Sequence, residues 1–450
     1  MTTSSKKKLL IYFMVSREWQ VLNAELICNA LIDKFNILPF FLCSKTFRGN
    51  AYDFCMARGI DNIDNIDNIE TYHNIKPNYQ FKLFEDSFVK RILNFKQESK
   101  ADFCILFSDK RFDKFAYYLH LILECHWVLY QHGEIDRDRF IFSWDKGWRK
   151  VSKKYNSRFF ARLITRFKTY LLFAVNYLLF AIKYRRSRAA QRLPPLLLTI
   201  QKLSQGDYSE FANLSLLCQS NSSNKSYNRK FIEWTKYKIV GSLTPERLKL
   251  LKSCSLTDLD KEDPIRAIDR SKTLIMYSTG AFRSNNSIAI EKQCLAFRGI
   301  ANAAEKLGYK LLIKLKPGEE WFLPDETKTL DFVIYISDSV IDSAVGWILP
   351  VDSTACVEYS LRNKSYSTFN IFEEVGCIGE INIESKVLSV FDQTILPQNV
   401  VDELSRYIST NPSKRICGDS RFSELLGTSK TVLSSERIAS AIQEYLDSLF

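Results

Sequence analysis

The sequence predicts an α/β protein built from two doubly wound domains. Apolar runs of about five to eight residues alternate with helical stretches, the rhythm of a parallel sheet with crossover helices. That rhythm is broken by a charged, proline-containing stretch near the middle of the chain and then resumes. The 450 residues exceed what a single core serves, while 46% hydrophobic and 25% charged residues are ordinary for a globular protein.

Taken in order, Leu9 to Val15 reads as a buried first strand, followed by the loop Ser16-Arg17-Glu18-Trp19 and a helix to about Lys34. Asn36 to Cys43 is a second strand, Asp53 to Arg58 a short helix, and Phe84 to Gln97 a longer one. Three Asp-Asn-Ile triplets (61–69) are too short for a solenoid and read as a surface loop. Asp102 to Ser108 is the next strand, Phe112 to Glu124 a helix, and Trp127 to Gln131 a further strand. Leu214 to Gln219 and Tyr237 to Ser242 resume the pattern, separated by a polar loop and a short helix around Phe231. Thr244-Pro245-Glu246 opens a helix, with proline in its first turn.

A first domain is therefore placed at 1–255, a linker at 256–270 around Pro264, and a second domain at 271–432. In the second domain Thr273 to Tyr277, Lys310 to about Glu319, Asp331 to Ser337 and Trp347 to Val351 read as strands or strand-and-turn units. Asp352-Ser353-Thr354 then precedes a helix from Ala355 to Arg362. The backbone N–H groups of such a helix start, beside two hydroxyls, can seat a phosphate; the plainer alternative is an ordinary N-cap. A last helix occupies 433–450.

The 11 cysteines form no Cys-x-x-Cys pair, and most, such as Cys104 and Cys356, stand in apolar runs as small buried hydrophobes. A reduced, cytoplasmic protein is expected. His73, His120, His126 and His132 show no zinc spacing with them, so no structural metal or cofactor is expected.

The net charge of +12 is concentrated in one segment, because residues 146–192 carry 14 Lys/Arg and no acid. The rest is a near-neutral, enzyme-like body. Within a basic insertion (146–205), Arg158, Arg162 and Arg166 recur every four residues on one helix face, while Phe160, Ile164, Phe167 and Leu171 form another. Tyr170 to Ile182 is apolar except for Asn176, and Lys183, Arg185, Arg186 and Arg188 follow. Thirteen residues span about 20 Å, short of a bilayer's core of roughly 30 Å, so a helix lying in an anionic membrane surface is expected rather than a spanning one. The alternative is a helical hairpin whose basic face is simply solvated. Nucleic acid is not expected as a partner: no basic recognition helix or single-strand motif is apparent, and the apolar run would be out of place.

Several of these stretches resemble the GT-B glycosyltransferases of bacterial capsule and lipopolysaccharide assembly. Lys314-Leu-Lys-Pro317 is similar to the family's Lys-x-His-Pro turn, and Ser353-Thr354-Ala-Cys-Val-Glu358 to its Ser-Ser/Thr-x-x-x-Glu segment. Lys316 stands where that family has histidine; it can neutralise a diphosphate but cannot act as a neutral donor near pH 7. Tyr277-Ser278-Thr279-Gly280-Ala-Phe-Arg283 resembles the Pro-Thr-Phe/Trp-Arg loop of the same enzymes, with two hydroxyls, a glycine and an arginine for a phosphate. Gln131-His132-Gly133-Glu134 resembles the His-Gly turn of the CDP-glycerol glycerophosphotransferases.

The resemblance implies a fold of two Rossmann-like domains (GT-B) whose last helix packs back on the first domain. It also implies transfer of a sugar from a nucleotide-activated donor to a lipid-linked or growing surface-polysaccharide acceptor, metal-independently, at the inner membrane face. His132, Glu134 or Glu18 is expected to act on the acceptor hydroxyl; the alternatives are a hydrogen-bonded loop histidine and, for Glu18, first-turn dipole matching. Gly241-Ser242 is a further cleft candidate. A CDP-glycerol-type transferase and an inactive membrane-associated scaffold are the alternative functions.

Overall fold

The computed structural model describes residues 6–43, 51–65, 86–109, 113–130, 177–178, 180–183, 211–218, 236–253, 269–283, 287–316, 319–333, 343–362, 364–372, 375–392, 399–410, 421–422 and 432–449. The chain divides into two compact units.

The first unit is built on seven strands: β1 (Lys8–Val15), β2 (Asn36–Cys43), β3 (Ile63–Asn65), β4 (Phe103–Asp109), β5 (His126–Tyr130), β6 (Leu214–Leu217) and β7 (Lys236–Ile239). They lie in the order β3-β2-β1-β4-β5-β6-β7, every pairing parallel. Four helices fall between the early strands: α1 (Glu18–Leu31), α2 (Ala51–Ala57), α3 (Asp86–Ser99) and α4 (Asp113–Leu123). Leu9 to Val15 are all buried, as expected of a strand covered on both faces. Pro39 interrupts β2 without breaking the sheet. It pairs with Ile11 of β1 on one side, while β3 joins β2 only from Phe41 onward, so no ladder N–H is missed there.

The core under this sheet gathers Leu10, Tyr12, Leu42, Leu106 and Trp127 with Tyr117, Tyr118 and Leu119 of α4. Two of its buried polar groups are hydrogen-bonded within it: the Trp127 indole donates to Ser108 Oγ (2.9 Å) and the Tyr12 hydroxyl to the Ile92 carbonyl (2.7 Å). From the basic insertion, residues 177–178 and 180–183 are helical, and Phe180 is fully buried against the Tyr118 ring (5.0 Å between centroids). Among the described residues no helix is long and apolar enough to cross a membrane.

After β7 comes α5 (Thr244–Ser253). The second unit holds β8 (Thr273–Tyr277), α6 (Ser287–Lys306), β9 (Lys310–Lys314), β10 (Asp331–Val333), β11 (Gly346–Pro350), α7 (Thr354–Leu361), β12 (Ser367–Asn370), α8 (Cys377–Glu384), β13 (Ser389–Asp392) and α9 (Val400–Ser409). Its sheet runs β10-β9-β8-β11-β12-β13, again all parallel. Counted within the unit this is the order 3-2-1-4-5-6 of the doubly wound nucleotide-binding fold. Ala296, Phe297, Ile300 and Ala304 of α6 and Leu404 and Tyr407 of α9 cover one face.

The last helix, α10 (Ser434–Asp447), belongs to the first unit and lies against α1. The Glu246 carboxylate accepts the Ser434 and Ser435 N–H groups (2.7 and 3.2 Å) and the Ser435 hydroxyl, so it caps the helix from a distant part of the chain. Lys34 donates to Ser440 Oγ, and Tyr445 Oη meets His126 Nδ1 at 2.8 Å. His126 is half-buried and serves this helix.

Each unit is thus a Rossmann-like doubly wound sheet, the class the sequence predicts. In both, strand order reverses direction beside the first strand, between β1 and β4 and between β8 and β11. The crevice outside the carboxyl ends of those strands is where such sheets take ligands.

Candidate functional site

In the second unit that crevice is lined by the residues after β8, β9 and β11. Lys314 ends β9, and its carbonyl accepts the Ser278 N–H (2.8 Å), which aligns the ends of β8 and β9. The Lys314 ammonium lies 4.7 Å from the Tyr277 ring centroid and 3.4 Å from its hydroxyl. Lys316, exposed, donates to the Thr279 carbonyl (2.8 Å). Its stem crosses Gly280 so closely that a Cβ there would meet Lys316 Cδ and Nζ, each at 3.2 Å. Gly280 has φ +92°, a second reason for glycine at this point. Six of the predicted residues, Ser278, Thr279, Gly280, Lys314, Lys316 and the loop-closing Arg283 of the turn Ala281–Arg283, therefore share the ends of two adjacent strands.

Across the crevice, Ser353 is the N-cap of α7, its hydroxyl oxygen accepting the Ala355 N–H (3.2 Å). Thr354 is exposed at the first helical position and Glu358 is half-buried one turn on. Tyr359, the next residue, joins the two sides: its hydroxyl is 3.2 Å from that of Tyr277. Burial pushes the Tyr359 phenol well above its usual range, with Tyr277 adding to the effect, so Tyr359 stays neutral.

Asp352 precedes this cap but turns away from it. Its carboxylate accepts N–H groups of Gly376 (2.8 Å to each oxygen) and Gly379 (2.7 Å) at the start of α8. An acid beside the expected phosphate seat is thereby occupied by another helix's N-terminus.

Two buried residues that the sequence reading passed over shape this site. Gln293, fully buried on α6, accepts at Oε1 from Ser278 Oγ (3.2 Å), Thr279 N (3.0 Å) and Thr279 Oγ. Glu319, also fully buried, accepts the Lys316 N–H at Oε2 (2.8 Å) and so sets the turn that carries Lys316. Gln293 was legible as a polar residue on the apolar stripe Ala289, Phe297, Ile300, Ala304.

In the first unit the corresponding crevice is organised by Gln20 of α1. Its Oε1 accepts Ser16 N (2.6 Å), Ser16 Oγ (3.1 Å) and Arg17 N (3.1 Å), while its Nε2 donates to the carboxylate of Asp109 at the end of β4. Glu18 opens α1, half-buried. Trp19 carries the Arg247 guanidinium 5.5 Å above its ring. Gly241 has φ +79°, and Ser242 is buried with its hydroxyl oxygen accepting the Thr244 N–H (3.2 Å), a local cap for α5.

His132 and Glu134 lie outside the described residues, as do Arg158, Arg162, Arg166, Phe167, Leu171, Arg185 and Arg186. Two Asp-x-Asp triplets that the metal-independent expectation passed over, Asp136-Arg137-Asp138 and Asp258-Leu259-Asp260, lie outside them too. Among the described residues no group of three or more His, Cys, Asp or Glu could hold a metal ion.

No protein-family model matches the chain, and no curated protein matches it. Solved structures similar to it include the UDP-GlcNAc 2-epimerase of Methanocaldococcus jannaschii (12% identity, TM-score 0.48, 97% of this chain and 99% of that one). CalG4, the calicheamicin glycosyltransferase, is another (12%, 0.44, 98% of each), and Acinetobacter baumannii MurG a third (10%, 0.36, 97% and 99%).

Proposed function

We propose that the chain is a glycosyltransferase that moves a sugar from a nucleotide-activated donor to a lipid-linked or growing surface-polysaccharide acceptor. The observation that carries this reading is that the Lys314 and Lys316 ammonium groups meet Tyr277 at the end of β8 and Thr279 in the loop after it, next to β11, the strand that leads into the N-terminus of α7. Both lysines stand at the carboxyl end of β9, the end of a doubly wound sheet where a nucleotide is taken. In the proposed reaction an acceptor hydroxyl attacks the anomeric carbon, the bond from that carbon to the donor phosphate oxygen breaks, and the nucleotide leaves with the electron pair. The two ammonium groups and the α7 N–H groups neutralise the departing phosphate, the largest contribution such a site can make without a metal.

The acceptor's proton needs a base. Asp109, at the end of β4 and fixed in rotamer by Gln20, joins Glu18, His132 and Glu134 as a candidate for that role. The basic insertion holds the protein on the anionic inner membrane face in this reading. Leu178 and Ile182, one helical turn apart, are 50% and 64% exposed beside the buried Phe180, an arrangement that offers apolar side chains to a bilayer boundary.

The test is a melting-point panel of CMP, CDP, UDP and GDP on the purified full chain. A ligand at 100 times its Kd adds about 2.7 kcal/mol, a readily visible shift. One nucleotide is expected to raise the wild-type melting point and to lose that effect in K314A and K316A. No shift with any nucleotide would refute the donor site and favour the scaffold alternative; failure to sediment with phosphatidylserine vesicles would refute the membrane part alone.

A further inference from the structure

Gln293 is chemically unusual for its place. It is a fully buried amide in the second turn of a helix whose same face otherwise carries Ala289, Ala296, Phe297 and Ile300. A hydrophobic residue there would pack the sheet at least as well, so the amide must be explained by what it bonds. Its carbonyl oxygen collects three donors, all from Ser278 and Thr279. Its Nε2 is buried with no hydrogen-bond partner among the described residues, a cost that a purely structural position would have no reason to carry.

The hydroxyl oxygens that Gln293 fixes bond onward: Ser278 Oγ accepts the Gly280 N–H (3.2 Å) and Thr279 Oγ1 the Ala281 N–H (3.2 Å). One buried oxygen thus sets the orientation of four consecutive residues, including the Thr279 carbonyl to which Lys316 is bonded. The first unit uses the same device. Gln20 collects the Ser16 N–H, the Ser16 hydroxyl and the Arg17 N–H of the loop after β1, and there the amide nitrogen reaches Asp109. In both units the loop after the first strand, at the point where strand order reverses, is held from behind by one glutamine.

We infer that Gln293 is a positioning residue for nucleoside diphosphate binding: it does not touch the ligand, and it holds the Ser278–Gly280 loop and, through Thr279, the Lys316 ammonium in the geometry that receives the phosphates. This inference rests on the donor-site reading above.

The experiment measures nucleotide affinity on the full chain by calorimetry, using whichever of CMP, CDP, UDP or GDP shifts the wild-type melting point. Gln293→Met, of similar volume but without an acceptor, is expected to raise Kd at least tenfold. Ile300→Val, a core change two turns along the same helix, lowers the baseline melting point and should leave Kd within twofold, which separates positioning from general loosening. If Gln293→Met does not fold, Gln293→Asn, whose amide falls one methylene short of the loop, is read by the same criterion. A Kd within twofold of wild type in the folded Gln293 variant overturns the inference while leaving the donor site standing. Absence of any nucleotide binding by the wild-type chain refutes the donor site itself, and the inference with it.

Discussion

Replacing Asp352 by Asn tests how the second unit ties the loop after β11 to the start of α8. The carboxylate accepts from Gly376 and Gly379 at 2.7–2.8 Å, at the N-terminus of α8, where the backbone dipole favours a negative charge. A hydrogen bond to a charged group contributes about 1.5–3 kcal/mol against about 0.5–1.5 for a neutral one, so two bonds lose roughly 2 kcal/mol together. Loss of the charge at the helix start adds about 0.3–1 kcal/mol. The amide also turns one N–H toward donors that need an acceptor. The expected cost is roughly 2–3 kcal/mol, or about 5–10 °C in the melting of a unit of this size. Gly379→Ala should cost a similar amount, because its Cβ would stand 2.6 Å from Asp352 Oδ1 and 2.7 Å from Val375 Cβ. Urea unfolding of the full chain, followed by tryptophan fluorescence, measures both. An Asp352→Asn variant within about 0.5 kcal/mol of wild type would refute the reasoning, since surface changes of no consequence fall in that range.

Two further predictions concern the loop and the buried thiols. Gly280→Ala places a side chain at φ +92° and against Lys316, so it should destabilise by roughly 1–3 kcal/mol and weaken nucleotide binding; an unchanged melting point and Kd would contradict the geometry. Burial pushes the thiols of Cys218 and Cys356 from the usual 9.0 up to about 12, and the phenol of Tyr445 from 10.0 to about 12. Groups raised in the folded state stabilise it fully below their unfolded value, and the contribution is lost as pH rises toward the folded one. Stability should therefore fall from about pH 9 to 12, by roughly 1.4 kcal/mol per pH unit for each thiol over that window. Cys218→Ala and Cys356→Ala should flatten the alkaline limb of the urea midpoint against pH, each in its own unit.

The strands were legible because a parallel sheet buried on both faces needs uninterrupted apolar runs, and Leu9–Val15 and Trp347–Pro350 are such runs, found buried from end to end. Lys314, Lys316 and the Ser278–Gly280 loop were legible because each follows directly on a strand, where the fold exposes its loops. The buried partners of that loop were not. Gln293 reaches it across 14 residues, Gln20 reaches Asp109 across 89, and Asp352 reaches Gly376 across 24. A pairing of that kind depends on the register of strands and the rotation of a helix, neither of which a linear pattern carries. Asp109 was read past for the same reason: a carboxylate ending an apolar strand looks like solvent-facing punctuation until the strand proves central and the residue only 5% exposed.

Two acids of the second unit's crevice, Glu319 and Asp352, share one pattern of bonding, and it bears on what that crevice can hold. Glu319 and Asp352 stand within a few residues of the lysines and the helix cap, and each gives carboxylate oxygens to backbone N–H groups: Glu319 to Lys316 N, Asp352 to the start of α8. Lys314 meets a phenol and its ring, and Lys316 meets a carbonyl. A carboxylate whose two oxygens both accept backbone N–H groups, as those of Asp352 do, is stabilised by those dipoles. A phosphate reaching a lysine must displace whatever already bonds its ammonium before gaining its own contact. The Tyr277 hydroxyl at Lys314 and the Thr279 carbonyl at Lys316 are neutral partners, which an anion displaces at far smaller electrostatic cost than it would a carboxylate. That is a physical reason for two lysines at this edge to act on an incoming anion, and it is local to the second unit, resting on β8, β9, α7 and α8 alone.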